Sequence, residues 1–180
     1  MRSRANHRRD RRVGRGSKTP LLALLAFVIF VLAAFEQPEV NVAPGDPAGP
    51  RTLEPQTRSA AVRDYLAAWT TLHHALEENN SGLLDADFVG IAKEQLSATI
   101  RDQQKLGLQT RYQDRKHEIH LVFYSPEGWS LQLLDTVEYD VQLLDHGKVQ
   151  ATQHLRVPYL AVLTPTEVRW KVRVFQAEPE

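Results

Sequence analysis

Leu131-Gln-Leu-Leu-Asp-Thr-Val-Glu-Tyr-Asp-Val-Gln-Leu143 reads with a period of two. Leu131, Leu133, Val137, Tyr139, Val141 and Leu143 fall on one side, and Gln132, Thr136, Glu138, Asp140 and Gln142 on the other. Successive Cβ atoms of a strand point to opposite faces, so this is a strand with one apolar face and one wet face. Turn chemistry bounds it: Ser125-Pro-Glu-Gly128 before, Asp145-His-Gly147 after. Each turn leads to another alternating stretch. In 116–124, Ile119, Leu121 and Phe123 alternate with Glu118 and His120. In 149–163, Leu155, Val157, Tyr159 and Leu163 oppose Gln150, Thr152, His154 and Arg156. Beyond Thr164-Pro-Thr166, Val168, Trp170, Val172 and Val174 oppose Arg169, Lys171 and Arg173. Short connections between successive strands imply an antiparallel meander of four. Strands this long imply strong curl. Pro158 has no N–H for a ladder and is expected to mark a bulge that shifts the facing of Tyr159 onward.

Upstream the period changes to that of helices. Val62, Tyr65, Leu66, Trp69, Leu72, His73 and Leu76 recur at three-and-four spacing, with Thr57 or Ser59 as the cap and Glu77-Glu-Asn-Asn-Ser-Gly82 as the stop. A second helical stretch, capped by Asp85 or Asp87, turns Phe88, Ile91, Ala92, Leu96 and Ile100 inward and ends at Gly107; Gly90 is a place where it can split. Helices that precede a sheet and do not alternate with it predict an α+β fold, with the helices packed on one face of a curved, cone-like, four-stranded sheet.

The remainder predicts an address. Residues 1–18 hold eight Lys or Arg against Asp10 alone, and an uncharged apolar run, 20–35, follows. The net charge of zero therefore divides into a basic tail and an acidic remainder. Residues 19–35 at about 1.5 Å each span about 25 Å, close to the ~30 Å core of a bilayer. A basic cytoplasmic tail (1–18) and a transmembrane signal-anchor helix (19–35) are expected, with the bulk of the chain across the membrane. A cleaved signal peptide is the rival reading, with Val31-Leu-Ala33 and Leu32-Ala-Ala34 as weak cleavage patterns. Residues 36–56 carry five prolines and read as a linker reaching about 60 Å. The folded domain is expected over 57–180. The tail lacks interleaved aromatic residues, so no nucleic acid is expected as a partner. With no cysteine, thiol chemistry, disulfides and cysteine metal sites are excluded.

The amphipathic first helix and the long meander ending in Val-Arg-Trp170-Lys-Val172-Arg-Val resemble the nuclear-transport-factor-two-like (cystatin-like α+β cone) superfamily over about residues 57–177. That resemblance implies a cone faced by Tyr65 and Trp69 of the first helix. The full layout is similar to bacterial single-pass membrane proteins with such a domain outside the membrane. These include assembly factors of type IV secretion and conjugation machines and proteins associated with mycobacterial lipid uptake. It implies a bacterial inner-membrane location, with the N-terminus cytoplasmic and the domain extracytoplasmic.

Enzymes of this superfamily use an Asp or His base with Tyr partners inside the cone. Strand parity picks out Asp135, Tyr139, Gln153 and Tyr159 on the otherwise apolar face, with Trp170 beside them as a pocket candidate. A carboxylate among apolar side chains favours holding a proton, and a nearby Tyr can donate to a developing oxyanion. The bland alternative makes the same groups core residues with internal hydrogen bonds. The histidines do not converge on a metal: His73 and His74 diverge on a helix, and His117 and His120 have opposite strand parity. No metal and no cofactor are expected. His154, Arg156, Lys171 and Arg173 on the wet sheet face are candidates for docking a protein partner or a second copy, as domains of this superfamily often dimerise there. The expected function is that of a membrane-anchored scaffold or accessory protein and not an enzyme. The alternative is a small-molecule binder or isomerase-like enzyme around Asp135.

Overall fold

A computed structural model describes residues 37–178. A five-stranded sheet, ordered β1-β2-β3-β4-β5, is formed by β1 (Glu39–Val42), β2 (Leu108–Tyr124), β3 (Leu131–Asp145), β4 (Lys148–Pro165) and β5 (Trp170–Ala177). The meander β2 to β5 is antiparallel, and β1 adds to β2 in parallel. Two α-helices, α1 (Pro55–Glu77) and α2 (Gly90–Leu106), flank a short 3-10 helix (Ser81–Ala86). The fold is α+β, as the periodicity predicts, but with five strands instead of four.

The fifth strand comes from the stretch read as a linker. Glu-Val-Asn-Val, between Pro38 and Pro44, is too short for its alternation to stand out, and its partner is an edge revealed only by the assembled sheet. Val40 aligns with His117 and Val42 with Ile119. Further along, Ala48 bridges to Phe123, and the side chain of Leu53 is buried. Gly49 has φ +137°, and a Cβ there would lie 2.3 Å from the carbonyl oxygen of Tyr124. Only glycine fits such an approach. Residues 37–54 are thus a strap laid on the domain.

α1 begins at Pro55, after Glu54 as N-cap, so neither Thr57 nor Ser59 caps it. Proline suits a first turn, where its missing N–H has no partner to lose. Its inward stripe of Ala61, Tyr65, Ala68, Trp69, Leu72 and Leu76 lies on the concave sheet face with Leu131, Leu133, Val137, Ala161 and Leu163. α2 is capped by Val89, not by Asp85 or Asp87, and ends on left-handed Gly107. Asp87 is buried instead, accepting from Thr71 Oγ1 (2.6 Å) and Arg169 Nη1 (2.7 Å). The first meander strand starts at Leu108, eight residues before the expected 116.

The curl comes from bulges. The β2–β3 ladder skips Arg115 and Val122, and the β4–β5 ladder skips Arg173. Pro158 makes no bulge: it faces Thr136 in register. Its carbonyl accepts from Glu178 N–H on the β5 side. In a strand, a residue's N–H and C=O point the same way, so the missing donor costs no bond to β3. β5 reaches only Tyr159 to Pro165 of β4, which leaves the 148–157 half of β4 as an edge among the described residues. Val168, expected in the last strand, lies in the turn before it.

No helix among the described residues is long and apolar enough to cross a membrane. The expected span, 19–35, and the basic tail, 1–18, lie outside them.

Candidate functional site

Tyr65, Trp69 and His73 stand four residues apart on α1 and so share one face. They meet a strand surface made polar by three side chains, Asp135, His117 and Asp114. Asp135 lies in the first third of β3 and is fully buried. Its Oδ2 accepts from Tyr65 Oη (3.0 Å) and pairs with His117 Nδ1 of β2 (2.7 Å). His117 Nε2 faces Asp114 Oδ2 at 3.5 Å, and Asp114 Oδ1 faces His73 Nε2 at 3.4 Å. A chain of five groups, Tyr65–Asp135–His117–Asp114–His73, therefore runs through the cone. Trp69 sits in its bend, edge-on to the rings of His73, His117, Tyr159 and Phe175. His73 stacks flat on Tyr112.

Parity explains which groups arrive. His117 precedes Ile119 by two, so it shares the inward face. Asp114 does not follow from alternation, since it lies an odd number of positions, three, before His117. The bulge at Arg115 supplies the missing half-period and sets Asp114 opposite inward-facing Tyr139. His117 was legible as a residue of the apolar face; Asp114 had no such signal.

Electrostatics follows from this arrangement. Burial disfavours a charged His117, but its hydrogen bonds to Asp114 and Asp135 outweigh that and hold it up at about 9. At neutral pH it is an imidazolium between two carboxylates. Burial lowers His73, against the pull of Asp114. Burial and then the Asp135 carboxylate raise Tyr65 well above its ordinary value, so it stays a donor. Trp69 Nε1, His73 Nε2, Asp114 Oδ1 and Asp135 Oδ1 are buried without a hydrogen-bond partner.

Among the pocket candidates, Asp135 sits in this chain. Tyr139 and Tyr159 share a hydroxyl–hydroxyl bond of 3.1 Å just outside it, and burial pushes Tyr159 upward. Trp170 is buried at the start of β5, its backbone N–H donating to Asp64 Oδ2 (2.9 Å). Gln153 shares the inward parity but lies exposed on the projecting half of β4. Among the described residues, surface clefts of about 380 to 580 Å³ open elsewhere, lined by residues other than Asp135, Tyr139 and Tyr159.

The partner-surface candidates separate into two groups. His154 pairs with Asp140 (2.9 Å), and Arg156 with Glu118 (2.9 Å) and Glu138 (3.3 Å), in an exposed charge ladder across β2, β3 and β4. Lys171 lies about eight residues further along the β4 register, roughly 26 Å away. Its ammonium caps the carbonyl of Asp85 (2.7 Å). Arg173, the bulged residue of β5, lies against Gly90.

No protein-family model matches the chain, and no curated protein sequence does. Solved structures do. The intermembrane-space region of the chloroplast protein ARC6 superposes with a TM-score of 0.60 at 18% identity, covering 73% of this chain and 100% of that one. A candidate dehydratase of the NTF2-like family from Streptomyces avermitilis superposes at 0.47 with 10% identity, covering 68% and 97%. A candidate scytalone dehydratase from Novosphingobium aromaticivorans superposes at 0.48 with 13% identity, covering 70% and 89%. The ARC6 likeness shows the fold: helices ahead of a curved antiparallel meander, as the order of helices and strands predicts.

Proposed function

We propose that this chain is a membrane-anchored, extracytoplasmic accessory protein whose NTF2-like domain binds another protein with its outer surface. One contrast carries the reading: the cone is filled while large apolar side chains lie outside. Tyr65, Trp69, Val137 and Tyr139 occupy the interior, and the His117–Asp135 pair is sealed at 1% and 0% exposure. A general base needs its substrate within hydrogen-bond reach. Meanwhile Val168 and Trp129 are 85% and 68% exposed, at the end of the sheet where β2 finishes, and Phe123 and Leu134 continue the apolar surface onto the outer face. Val168 also lines a cleft of about 580 Å³ with Val89 and Arg169. Exposed aromatic and aliphatic groups beside paired charges are the makings of a protein interface. The apolar run 19–35 and the basic tail supply the anchor and the orientation. The intermembrane-space origin of the ARC6 region is in keeping with a domain of this fold beyond a membrane.

Photo-crosslinking in intact cells tests this. A crosslinker at Trp129, Leu134 or Val168 should capture a discrete protein, and one at Tyr139 should capture none. Absence of a captured protein from all three outer positions overturns the reading.

The four orphaned buried atoms favour a second reading, a cone that opens for a small polar ligand. Asp135 and His117 would then exchange a proton with it, and Tyr65 would donate. Trp69 lies edge-on to both histidines of the chain, so a ligand entering the cone should change its fluorescence, and His117→Gln should abolish that response.

A further inference from the structure

Phe35 ends the apolar run, and Gln37 begins the described fold. Two residues span at most about 7 Å. Residues 36–56, read as a free linker, would have held the domain up to about 60 Å from the membrane. The strap removes that freedom: strand β1, the Ala48–Phe123 bridge and buried Leu53 bind those residues to the domain itself. Arg58 adds a clamp on Asp46 at 3.0 Å. With 19–35 in the bilayer, as proposed above, the folded surface starts at the headgroup layer.

The direction of β1 indicates which end faces the lipid. β1 is parallel to β2, and Glu39 enters level with Lys116. The chain therefore arrives from the end where β2 begins. There Leu108, Asp145 and Lys148 form one row of the sheet, and Gln109, Leu144 and Val149 the next. This tip exposes Leu106 (71%), Val149 (49%) and Leu143 (38%). Lys105 precedes Leu106, and Lys148 precedes Val149. The acids at the tip are Asp102, bound to Lys105 at 2.9 Å, Asp145, bound to His146, and, where α1 ends against the start of β2, Glu77, bound to Arg111 at 2.7 Å, and Glu78, 4.0 Å from His74.

Eight residues separate Lys116 from Leu108, about 25 Å along the strand. The four residues from Glu39 back to Phe35 reach at most about 14 Å. An upright sheet would carry the tip past the chain's own point of exit, into lipid. A tilted sheet lays it along the headgroups. We propose that this tip, through Leu106, Leu143 and Val149 with Lys105 and Lys148, docks on the headgroup layer of the bilayer that holds residues 19–35. Aliphatic groups at that depth leave water, while neighbouring lysines extend their ammonium groups to lipid phosphate. This rests on the anchor reading and adds a second attachment, which leaves Trp129 and Val168 at the far end for a partner.

The chain has no cysteine, so single labels are unambiguous. The full chain would be reconstituted into phosphatidylcholine–phosphatidylglycerol vesicles with an environment-sensitive fluorophore at Leu106→Cys, Val149→Cys, Val168→Cys or Phe27→Cys. Spin-labelled lipids serve as quenchers. Labels at 106 and 149 should be quenched several-fold more than the label at 168. With the label at Leu143→Cys, adding Leu106→Asp and Val149→Asp should remove the quenching there while the label at 27 stays quenched. Labels at 106 and 149 as accessible to water as that at 168, with 27 quenched, overturn the docking and leave the anchor standing. Quenching at 168 in place of 106 also overturns it. An unquenched label at 27, with the protein in the aqueous fraction, overturns the anchor and the docking together.

Discussion

His117 is the residue on which the interior depends. An imidazolium between two carboxylates is stable in a buried site only while both partners hold it. Its pKa is raised from 6.5 to about 9 in the folded protein, against burial and through Asp114 and Asp135. A raised histidine contributes stability that is complete below its unfolded value and lost as pH rises through the folded one. His73 acts in the opposite sense: burial lowers it, so its contribution is lost as pH falls below the unfolded value. The charged groups facing this pair are Asp114 and Asp135, with Tyr65 behind Asp135. The denaturation midpoint should therefore fall between about pH 6.5 and pH 9, and His117→Gln should flatten that limb. Urea titrations at several pH values measure both. The placement of Asp135 and His117 was legible from strict alternation around Val137 and Ile119. That of Asp114 was not, because a bulge moves a residue across the sheet and a single sequence does not announce where a ladder skips.

At the scale of elements, the strap is the main departure from expectation. Proline-rich composition signals the absence of helix and of long strand, and residues 37–54 obey that: they contribute four ladder positions, one bridge and one buried leucine. Those few contacts still matter, because β1 covers β2 from Lys116 to Ile119 and Leu53 fills the core. Burying one leucine stabilises by about 1.5–3 kcal/mol. A fragment of residues 57–180, which the helical pattern alone would choose, should melt at least about 5 °C below one of residues 37–180. Thermal unfolding followed by circular dichroism compares them; equal midpoints would make the strap ornamental. The meander itself was legible because its turns are chemically explicit. Asp145-His-Gly147 places His146 and Gly147 at φ 48° and 75°, a two-residue hairpin turn.

The described domain has a buried interior and two unlike ends of its sheet. The outer sheet face between them carries half-exposed Lys116, Glu118 and Glu138 and exposed Arg156 as mutually compensating pairs. Such pairs add little to stability, with about 0–1 kcal/mol typical. Arg156→Glu should therefore leave unfolding nearly unchanged while placing a third carboxylate beside Glu118 and Glu138. If this face docks a partner, the crosslinked product from Leu134 should fall at least several-fold; an unchanged yield would confine the interface to the Trp129–Val168 end. Sequence alone determined the α+β class, the meander, the helices before it and the apolar run with its basic flank. These are properties of local periodicity and composition, which a chain carries before it folds. Tertiary structure alone decided that the linker is a strap, that Asp114 joins His117, that the basic candidates lie in two places, and that the cone is filled. Each depends on which distant strand a residue meets and on where a ladder slips by one, and neither is encoded in the period of any single segment.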